Sequence, residues 1–288
     1  MPELPEVQAL AAFLDEHLAG HTVAAATPVA IHALKTYDPP LSALEGQVVS
    51  GVGRHGKFLD ISAGDLHLVL HLARAGWVRW QEELPTTPPK PGKGPLALRV
   101  RMEEPAGSGI DVTEYGTKKG LAVYVVRDPN DVPGIARLGI DPLSEEFTVD
   151  VLRGLLDGER RQIKGVLRDQ SVLAGIGNAY SDEILHAARM SPYKLAAKLT
   201  PEEVANLYEV TLSTLNDAVE RSRGLPMKDL KAEKKSGLRV HGRTGEKCPV
   251  CGDTIREVSF ADSSLQYCPT CQTGGKPLAD RRLSRLLK

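Results

Sequence analysis

The sequence predicts an α+β protein of several domains: a leading helix, a β-sandwich or barrel, a helical domain and a small metal-binding β-hairpin. Three observations support this order. Short aliphatic runs separated by Gly and Pro fill the first half of the chain, helical periodicity begins after Pro142, and all four cysteines lie in the last 41 residues. A chain of 288 residues is long for one hydrophobic core and is expected to contain at least two.

The amino-terminal part is predicted to be one helix followed by β structure. Apolar residues at three- and four-residue steps predict an amphipathic helix over 5–19 that ends at Gly20. The chain that follows is rich in β-branched and aliphatic residues between turn-forming ones. Five or more strands so close together favour a sandwich or a barrel. The predicted strands are 47–52, 57–61, 66–72, 77–80, 96–101 and 121–127.

The second half is predicted to be helical until the cysteines begin. Thr200, Pro201 and Glu203 form a capping box with proline at the first helical position, which indicates where one helix starts. Gly175 and Gly177 lie in a short link between two other helices and permit two tight turns there. The predicted helices are 148–156, 160–169, 178–188 and 200–222.

The cysteine spacing predicts one structural zinc ion. Two Cys-x-x-Cys pairs, separated by sixteen residues of alternating polar and apolar character, can place four thiolates on one tetrahedral ion around a β-hairpin. Four protein ligands leave no open coordination position, so the ion is expected to fold the segment and not to catalyse. Two disulfides are the alternative, which a reducing compartment disfavours. The predicted ligands are Cys248, Cys251, Cys268 and Cys271.

Positive charge is concentrated at the carboxyl-terminal end. Residues 221–288 contain fifteen Lys/Arg and seven Asp/Glu, whereas the whole chain has a net charge of -1. This asymmetry favours a phosphate-bearing partner, although a solvated basic tail gives the same count. No apolar run approaches the ~20 residues that cross a bilayer, and the start lacks a signal-peptide pattern. We therefore expect a cytoplasmic protein with no membrane partner.

The amino terminus carries a possible nucleophile. Removal of Met1 would expose a secondary amine on Pro2, and α-amino groups titrate at about 8 in model compounds, so part of it is neutral at pH 7. A neutral amine beside the Glu3 carboxylate can attack a sugar C1′ and form an iminium, with Glu3 as general acid or base. Alternatively, Pro2 reflects translation-start preference and Glu3 is a helix N-terminal charge. Lys57 follows a predicted turn at 54–56 between two predicted strands and is expected to be exposed at the hairpin tip.

Four segments together resemble the formamidopyrimidine-DNA glycosylase and endonuclease VIII family of base-excision enzymes. They are the start Met1-Pro-Glu-Leu-Pro-Glu-Val7, Lys57 on its hairpin, residues 170–183 and residues 240–271. The resemblance implies a β-sandwich, a helix–two-turns–helix domain and a four-cysteine zinc finger. It also implies a bifunctional glycosylase and abasic-site (β,δ) lyase that everts the target nucleotide of double-stranded DNA and forms a Schiff base on Pro2. A damaged-DNA or abasic-site binding protein of this fold, with little or no base excision, is the alternative.

The resemblance also implies roles for matching residues. Pro2 would attack C1′, Glu3 would protonate the ring oxygen, and Lys57 would contact a phosphate and assist the eliminations. Asn178 would bind a backbone phosphate from a helix N-terminus, and Lys164 would lie near the lesion. The predicted DNA-binding residues are Asn178, Lys164 and Arg74 and, from the basic setting of the cysteines, Arg239, Arg243 and Arg256.

Because of three departures from the family pattern, the sequence does not predict which damaged base the protein recognises. Ser263 stands where the family's finger carries an arginine, for which Arg256 or the basic tail 275–288 is a possible substitute. Arg74 stands at the position of a methionine that fills the gap left by the flipped base, and loop 127–134 lacks the expected arginine and phenylalanine. The link 231–237 is too short for the lesion-capping loop of many 8-oxoguanine-specific members.

The predicted domain boundaries follow these assignments. Residues 1–135 form the catalytic sandwich, 136–146 a linker, 147–235 the helix–two-turns–helix domain, and 236–288 the zinc finger and basic tail. The protein is expected to be a nucleoid-associated monomer that requires no organic cofactor.

Overall fold

The structure is a computed structural model that describes residues 1–87, 89, 90, 92, 94–261 and 263–279. Its internal contacts divide the chain into two compact units. The first unit is Met1–Leu138 with Ser222–Ala232, and the second is Gly139–Arg221 with Glu233–Lys288. The domain boundaries predicted above stay a prediction. No helix in the described part of the chain is long and apolar enough to span a membrane.

The described part of the first unit contains one long helix, eight strands and three short 3₁₀ helices, together with the start of a further helix described below. Helix α1 is Leu4–Leu18. The strands are β1 Val23–Pro28, β2 Val49–His55, β3 Phe58–Ala63, β4 Leu66–His71, β5 Gly76–Gln81, β6 Leu96–Met102, β7 Gly109–Glu114 and β8 Ala122–Val126.

The eight strands form two antiparallel four-stranded sheets. One has the order β1-β6-β7-β5 and the other β2-β3-β4-β8. Side chains of both sheets meet in one buried cluster, represented by Leu98 and Ile110 from the first sheet and Leu59 and Leu68 from the second. Alternation along β3 and β4 directs these residues inward and their neighbours to the opposite face. The architecture is therefore a sandwich, which resolves the sequence alternative of a barrel.

Helix α1 covers one part of this core. Its apolar stripe, including Leu10, Leu14 and Leu18, belongs to the same buried cluster. Asp15 fixes the helix to β2, because its Oδ1 accepts a 2.7 Å hydrogen bond from the amide of Val52. The amino terminus is thus held in place by a well-packed helix.

The second unit contains the remaining helices and the short hairpin. The helices are α2 Val149–Leu156, α3 Ile163–Arg168, α4 Asn178–Ala187, α5 Pro201–Ser222, α6 Leu230–Gly237 (whose first residues belong to the first unit) and α7 Pro269–Thr273, and the hairpin strands are β9 Arg256–Ser259 and β10 Ser264–Tyr267. The predicted capping box of α5 is present: the amide of Thr200 donates to Glu203 Oε2 at 2.9 Å and that of Glu203 to Thr200 Oγ1 at 3.3 Å.

The link between α3 and α4 makes two turns that one side-chain amide holds together. Gln170 Nε2 donates to the carbonyl of Ile176 at 2.7 Å, and its Oε1 accepts from the amide of Gly175 at 3.0 Å. Gly175 has φ +92°, a conformation that favours glycine. Gly139 is packed so closely against this link that a Cβ on it would lie 2.3 Å from the carbonyl oxygen of Val172.

The predicted fold class is confirmed, and the differences are local. The sequence prediction missed β1, β7, α6 and α7, and it began the helix containing Lys164 three residues too early. Strand β7 was missed because Asp111 interrupts its apolar residues; in the fold this carboxylate pairs with Arg99 of β6 at 2.8 Å.

Candidate functional site

The amino-terminal residues are buried at the start of α1. Pro2 is buried, and Glu3 is 3 % exposed at the N-cap of the helix. Glu3 and Glu6 form a reciprocal capping box in which the amide of Glu3 donates to Glu6 Oε2 at 2.8 Å. Met1, still joined to the Pro2 nitrogen, is 48 % exposed. Removal of this exposed residue would leave an amine at the positive end of a helix, next to a buried carboxylate.

Lys57 lies in the predicted turn between β2 and β3, but the prediction that it is exposed was wrong. Its exposed fraction is 8 %. The reason is tertiary: segment 129–138 packs over this end of the hairpin, and Gly134 approaches the ring of Phe58 so closely that a Cβ would lie 2.4 Å from it. A turn lysine that sequence reasoning treats as solvated is therefore held in a defined place.

His71 is a neighbour of Lys57 to which the sequence analysis gave no role. It pairs with Phe58 across β3 and β4, and the two rings lie 4.6 Å apart. Burial, and then the charge of Lys57, lowers the pKa of His71 to about 4. The imidazole is therefore neutral at pH 7. The signal was present in the sequence as a histidine at the end of a strand, but nothing there placed it against a lysine.

Lys164 is engaged in a buried ion pair within the second unit. It is 5 % exposed, and its Nζ lies 2.7 Å from Asp182 Oδ1 and 2.7 Å from Ser181 Oγ. The other oxygen of Asp182 accepts from His241 Nδ1 at 2.7 Å and from the amide of Gln266 at 3.2 Å. These contacts connect α3, α4, the lead-in to the cysteines and β10. The predicted contact of Lys164 with DNA stays a prediction.

Asn178 is the first residue of α4, as predicted. Its Nδ2 donates to the carbonyl of Ser264 at 2.7 Å, which joins the helix start to the hairpin. Its Oδ1 is buried and has no hydrogen-bond partner among the residues described. The helix N-terminus is suited to binding an anion, as the sequence predicts for a phosphate.

The other predicted DNA-binding arginines differ in exposure. Arg74 is exposed in the tight turn between β4 and β5, where Ala73 has φ +49°. Arg239 and Arg256 are exposed in the second unit. Arg243 is partly buried and donates to Glu246 Oε2 at 2.7 Å and to the carbonyl of Leu238 at 3.1 Å. Three of these four guanidinium groups are therefore accessible to a phosphate.

Glu183 fixes the chain that leads into the cysteines, and the sequence analysis gave it no role. Its carboxylate accepts from the backbone amides of Arg239, Val240 and His241 at 2.7, 2.9 and 2.8 Å. Burial raises the pKa of Glu183, and the three amides oppose that effect. Arg239 therefore projects from a backbone that α4 holds rigidly.

The four cysteines form one cluster with the geometry of a zinc site. Their sulfur atoms all lie within 4.8 Å of one another. Four thiolates about 2.3 Å from one tetrahedral ion produce sulfur separations of this size. His186 of α4 lies beside the cluster, with Nε2 3.3 Å from Cys248 Sγ. The donor set fits one structural zinc ion, held by Cys248, Cys251, Cys268 and Cys271, and not the alternative of two disulfides.

Three family models match successive parts of the chain. They describe the formamidopyrimidine-DNA glycosylase N-terminal domain over residues 1–113, the formamidopyrimidine-DNA glycosylase H2TH domain over 138–228, and a zinc finger found in FPG and IleRS over 245–274. The last match supports the zinc assignment.

Relatives match over the whole chain. A formamidopyrimidine-DNA glycosylase of Symbiobacterium thermophilum is 35 % identical over 98 % of this chain and 93 % of its own length. The formamidopyrimidine-DNA glycosylase of Pelotomaculum thermopropionicum is 32 % identical over 94 % of this chain and 99 % of its own length. The chain belongs to the formamidopyrimidine-DNA glycosylase family. An uncharacterized formamidopyrimidine-DNA glycosylase-like protein of Mycobacterium tuberculosis is 62 % identical over 151 residues, which are 52 % of this chain and 94 % of that relative.

Solved structures of the formamidopyrimidine-DNA glycosylase family share the fold. A mutant of the Lactococcus lactis FPG in complex with a Fapy-dG containing DNA has a TM-score of 0.81 at 24 % identity, and the match covers 94 % of this chain and 100 % of that one. A MutM complex with carbocyclic 8-oxo-G containing DNA has a TM-score of 0.82 at 25 % identity, with the same coverage. These likenesses confirm the sandwich, the helix–two-turns–helix domain and the zinc finger.

Proposed function

We propose that this protein excises damaged bases from double-stranded DNA and then cleaves the strand at the abasic site, with the amine of Pro2 as nucleophile. The observation that carries the proposal is the buried pair Pro2–Glu3 at the start of α1, in a chain of this family. A protein that only binds DNA has no need of an amine held beside a buried carboxylate.

The chemistry follows from these groups. The neutral nitrogen of Pro2 attacks C1′ of the damaged nucleotide and the bond from C1′ to the base breaks. The base leaves with the bonding electron pair and takes up the proton that the Pro2 nitrogen loses. Opening of the sugar, with a proton delivered to its ring oxygen by Glu3, leaves an iminium between Pro2 and C1′. Two eliminations then release the strand ends on either side. Lys57, placed beside neutral His71, supplies positive charge for a phosphate next to the lesion.

Borohydride trapping on a duplex that contains one abasic site tests this mechanism. Hydride reduces the iminium to a stable amine, so the processed protein becomes covalently attached to DNA. A form that retains Met1 is expected to give no adduct through residue 2, because the Pro2 nitrogen is then an amide. Pro2→Gly, which replaces the secondary amine with a primary one, is expected to give less adduct than the parent. Lys57→Ala is expected to slow strand cleavage, whereas the matched control Lys118→Ala, an exposed lysine of the same unit, leaves it unchanged.

Two results would contradict the proposal. If the Met1-free protein binds abasic DNA but gives no adduct, it is a DNA-binding protein of this fold, as the alternative from sequence holds. If the form that retains Met1 traps as well as the processed protein, another amine is the nucleophile.

The site of action and the assembly state are also proposals. We infer that the protein acts as a monomer on chromosomal DNA in the cytoplasm, associated with the nucleoid. The exposed Arg239 and Arg256, together with the anion-binding start of α4, support contact with the DNA backbone. Of the predicted basic tail 275–288, residues 280–288 lie outside the described residues, as does Asp262.

A further inference from the structure

The first unit contains an aromatic groove of about 560 Å³ that none of the assigned roles uses. Its walls come from α1, β5 and the segment of chain that follows α5. The residues that matter for its chemistry are Phe13, Trp77, Arg79, Trp80, Lys228 and Lys231. The groove thus combines three aromatic side chains with three cations.

The groove lies away from the proposed nucleophile. Its lining includes none of Pro2, Glu3 and Lys57. Phe13 is nine residues beyond Leu4 at the start of α1, a separation of roughly 14 Å along the helix axis. A ligand in the groove would therefore be distinct from the nucleotide that reacts at Pro2.

The aromatic part of the groove is suited to stacking. Trp80 is partly exposed, and its indole N–H donates to Glu82 Oε1 at 2.8 Å, a bond made at the edge of the ring and not on either face. Phe13 and His17 stack with centroids 4.0 Å apart, and His17 meets Trp80 edge-on at 5.1 Å. These contacts keep the rings in fixed positions without covering the groove.

The cations are arranged so that they attract an anion. Lys231 Nζ lies 4.4 Å from the centre of the Trp77 ring. Burial, and then the charge of Arg79, lowers the pKa of Lys231, so the two cations repel one another. Arg79 is held by Tyr115, to whose hydroxyl it donates at 3.1 Å. An anionic group placed between Arg79 and Lys231 would relieve the repulsion.

We propose that the aromatic groove binds one nucleotide of single-stranded DNA, with its base on Trp80 and its phosphate between Arg79 and Lys231. Proteins that bind unpaired strands without sequence preference combine these two elements, because every base has a face to stack and every nucleotide has a phosphate. The inference rests on the proposed function for the identity of the strand as DNA. It adds a second contact that would hold an unpaired nucleotide outside the reaction site.

The chain offers a direct measurement, since its two tryptophans, Trp77 and Trp80, both line the groove. All tryptophan fluorescence therefore reports on this place. Titration of the full-length protein with a short oligothymidylate is expected to quench the fluorescence to saturation. Inorganic phosphate at the same concentrations is expected to leave it nearly unchanged.

Variants separate the two halves of the site. Trp80→Leu, with Trp77 as the remaining reporter, is expected to weaken oligothymidylate binding about tenfold or more, the size of one lost stacking contact. The double change Arg79→Ala with Lys231→Ala is expected to weaken it and to flatten its salt dependence. The control Lys118→Ala leaves binding unchanged.

Each contrary outcome overturns the inference in a recognisable way. Quenching by phosphate as strong as by oligothymidylate would show an anion site without base recognition. Tighter binding of an acidic, aromatic peptide would show a protein-docking site. Binding that keeps the parent affinity in both sets of variants would show that neither the Trp80 ring nor these two cations hold the strand. Borohydride trapping on abasic DNA does not depend on the groove, so its success or failure tests the proposed function separately.

Discussion

Replacing Lys164 with methionine tests how the buried ion pair of the second unit is stabilised. Lys164 is 5 % and Asp182 1 % exposed, and their charged atoms lie 2.7 Å apart. Methionine retains the length of the side chain but removes the charge, which leaves a buried carboxylate without this cation. Breaking such a pair from one side costs about 3–5 kcal/mol of unfolding free energy. His241 and the amide of Gln266, which donate to the other oxygen of Asp182, still satisfy part of the carboxylate and bring the expected cost toward the lower limit.

Thermal unfolding followed by calorimetry measures this effect. A loss of about 3 kcal/mol corresponds to a fall of roughly 10 °C in the melting temperature of a unit of this size. Adding Asp182→Asn to Lys164→Met removes the unpaired charge, so the double variant is expected to recover more than half of the lost stability. Lys198→Met, which removes an exposed lysine of the same unit, is the matched control and is expected to melt like the parent.

The opposite pattern would refute this reasoning. If Lys164→Met melts at the parent temperature while its affinity for lesion-containing DNA falls, Lys164 acts on DNA as the sequence predicts. If Lys164→Met and Asp182→Asn each lower the unfolding free energy, and the double variant lowers it by the sum of the two losses, the two side chains do not interact.

The remaining predictions concern the chain leading into the zinc finger, a histidine and the metal. Glu183→Gln can keep two of the three hydrogen bonds to the backbone of segment 239–241, whereas Glu183→Ala keeps none. Amide hydrogen exchange in that segment should therefore rise modestly in Glu183→Gln and strongly in Glu183→Ala. Equal exchange in the two variants would contradict this. His71 has a folded pKa of about 4 against about 6.5 when unfolded, so its contribution to stability is present above pH 6.5 and is lost as the pH falls toward 4. Denaturant titrations should show a shallower pH dependence over that range in His71→Asn, and an unchanged one would mean that the imidazole is not buried beside Lys57. Removal of zinc by a chelator should abolish exchange protection in hairpin 256–267 while the first unit melts unchanged; protected hairpin amides in metal-free protein would show that the hairpin folds without the ion.

Local patterns were enough to predict much of this protein. The helix over 5–19 follows from the spacing of its apolar residues, and the α5 start from Thr200 and Glu203, because both signals act within one or two helical turns. The zinc cluster follows from cysteine spacing for the same reason, since each Cys-x-x-Cys pair is a local geometry. The same kind of signal placed Lys57 in a turn and Asn178 at a helix start.

The sequence by itself thus determined the order of the domains, the four sulfur ligands and the residues offered as nucleophile and phosphate contacts. The tertiary structure alone decided that Lys57 is buried, that Lys164 is paired with Asp182, and that Trp77 and Lys231, distant in sequence, line one groove. The physical reason is that burial and charge pairing depend on which segments pack together. These contacts join residues far apart in the chain, and no periodicity or spacing within a single segment carries that information.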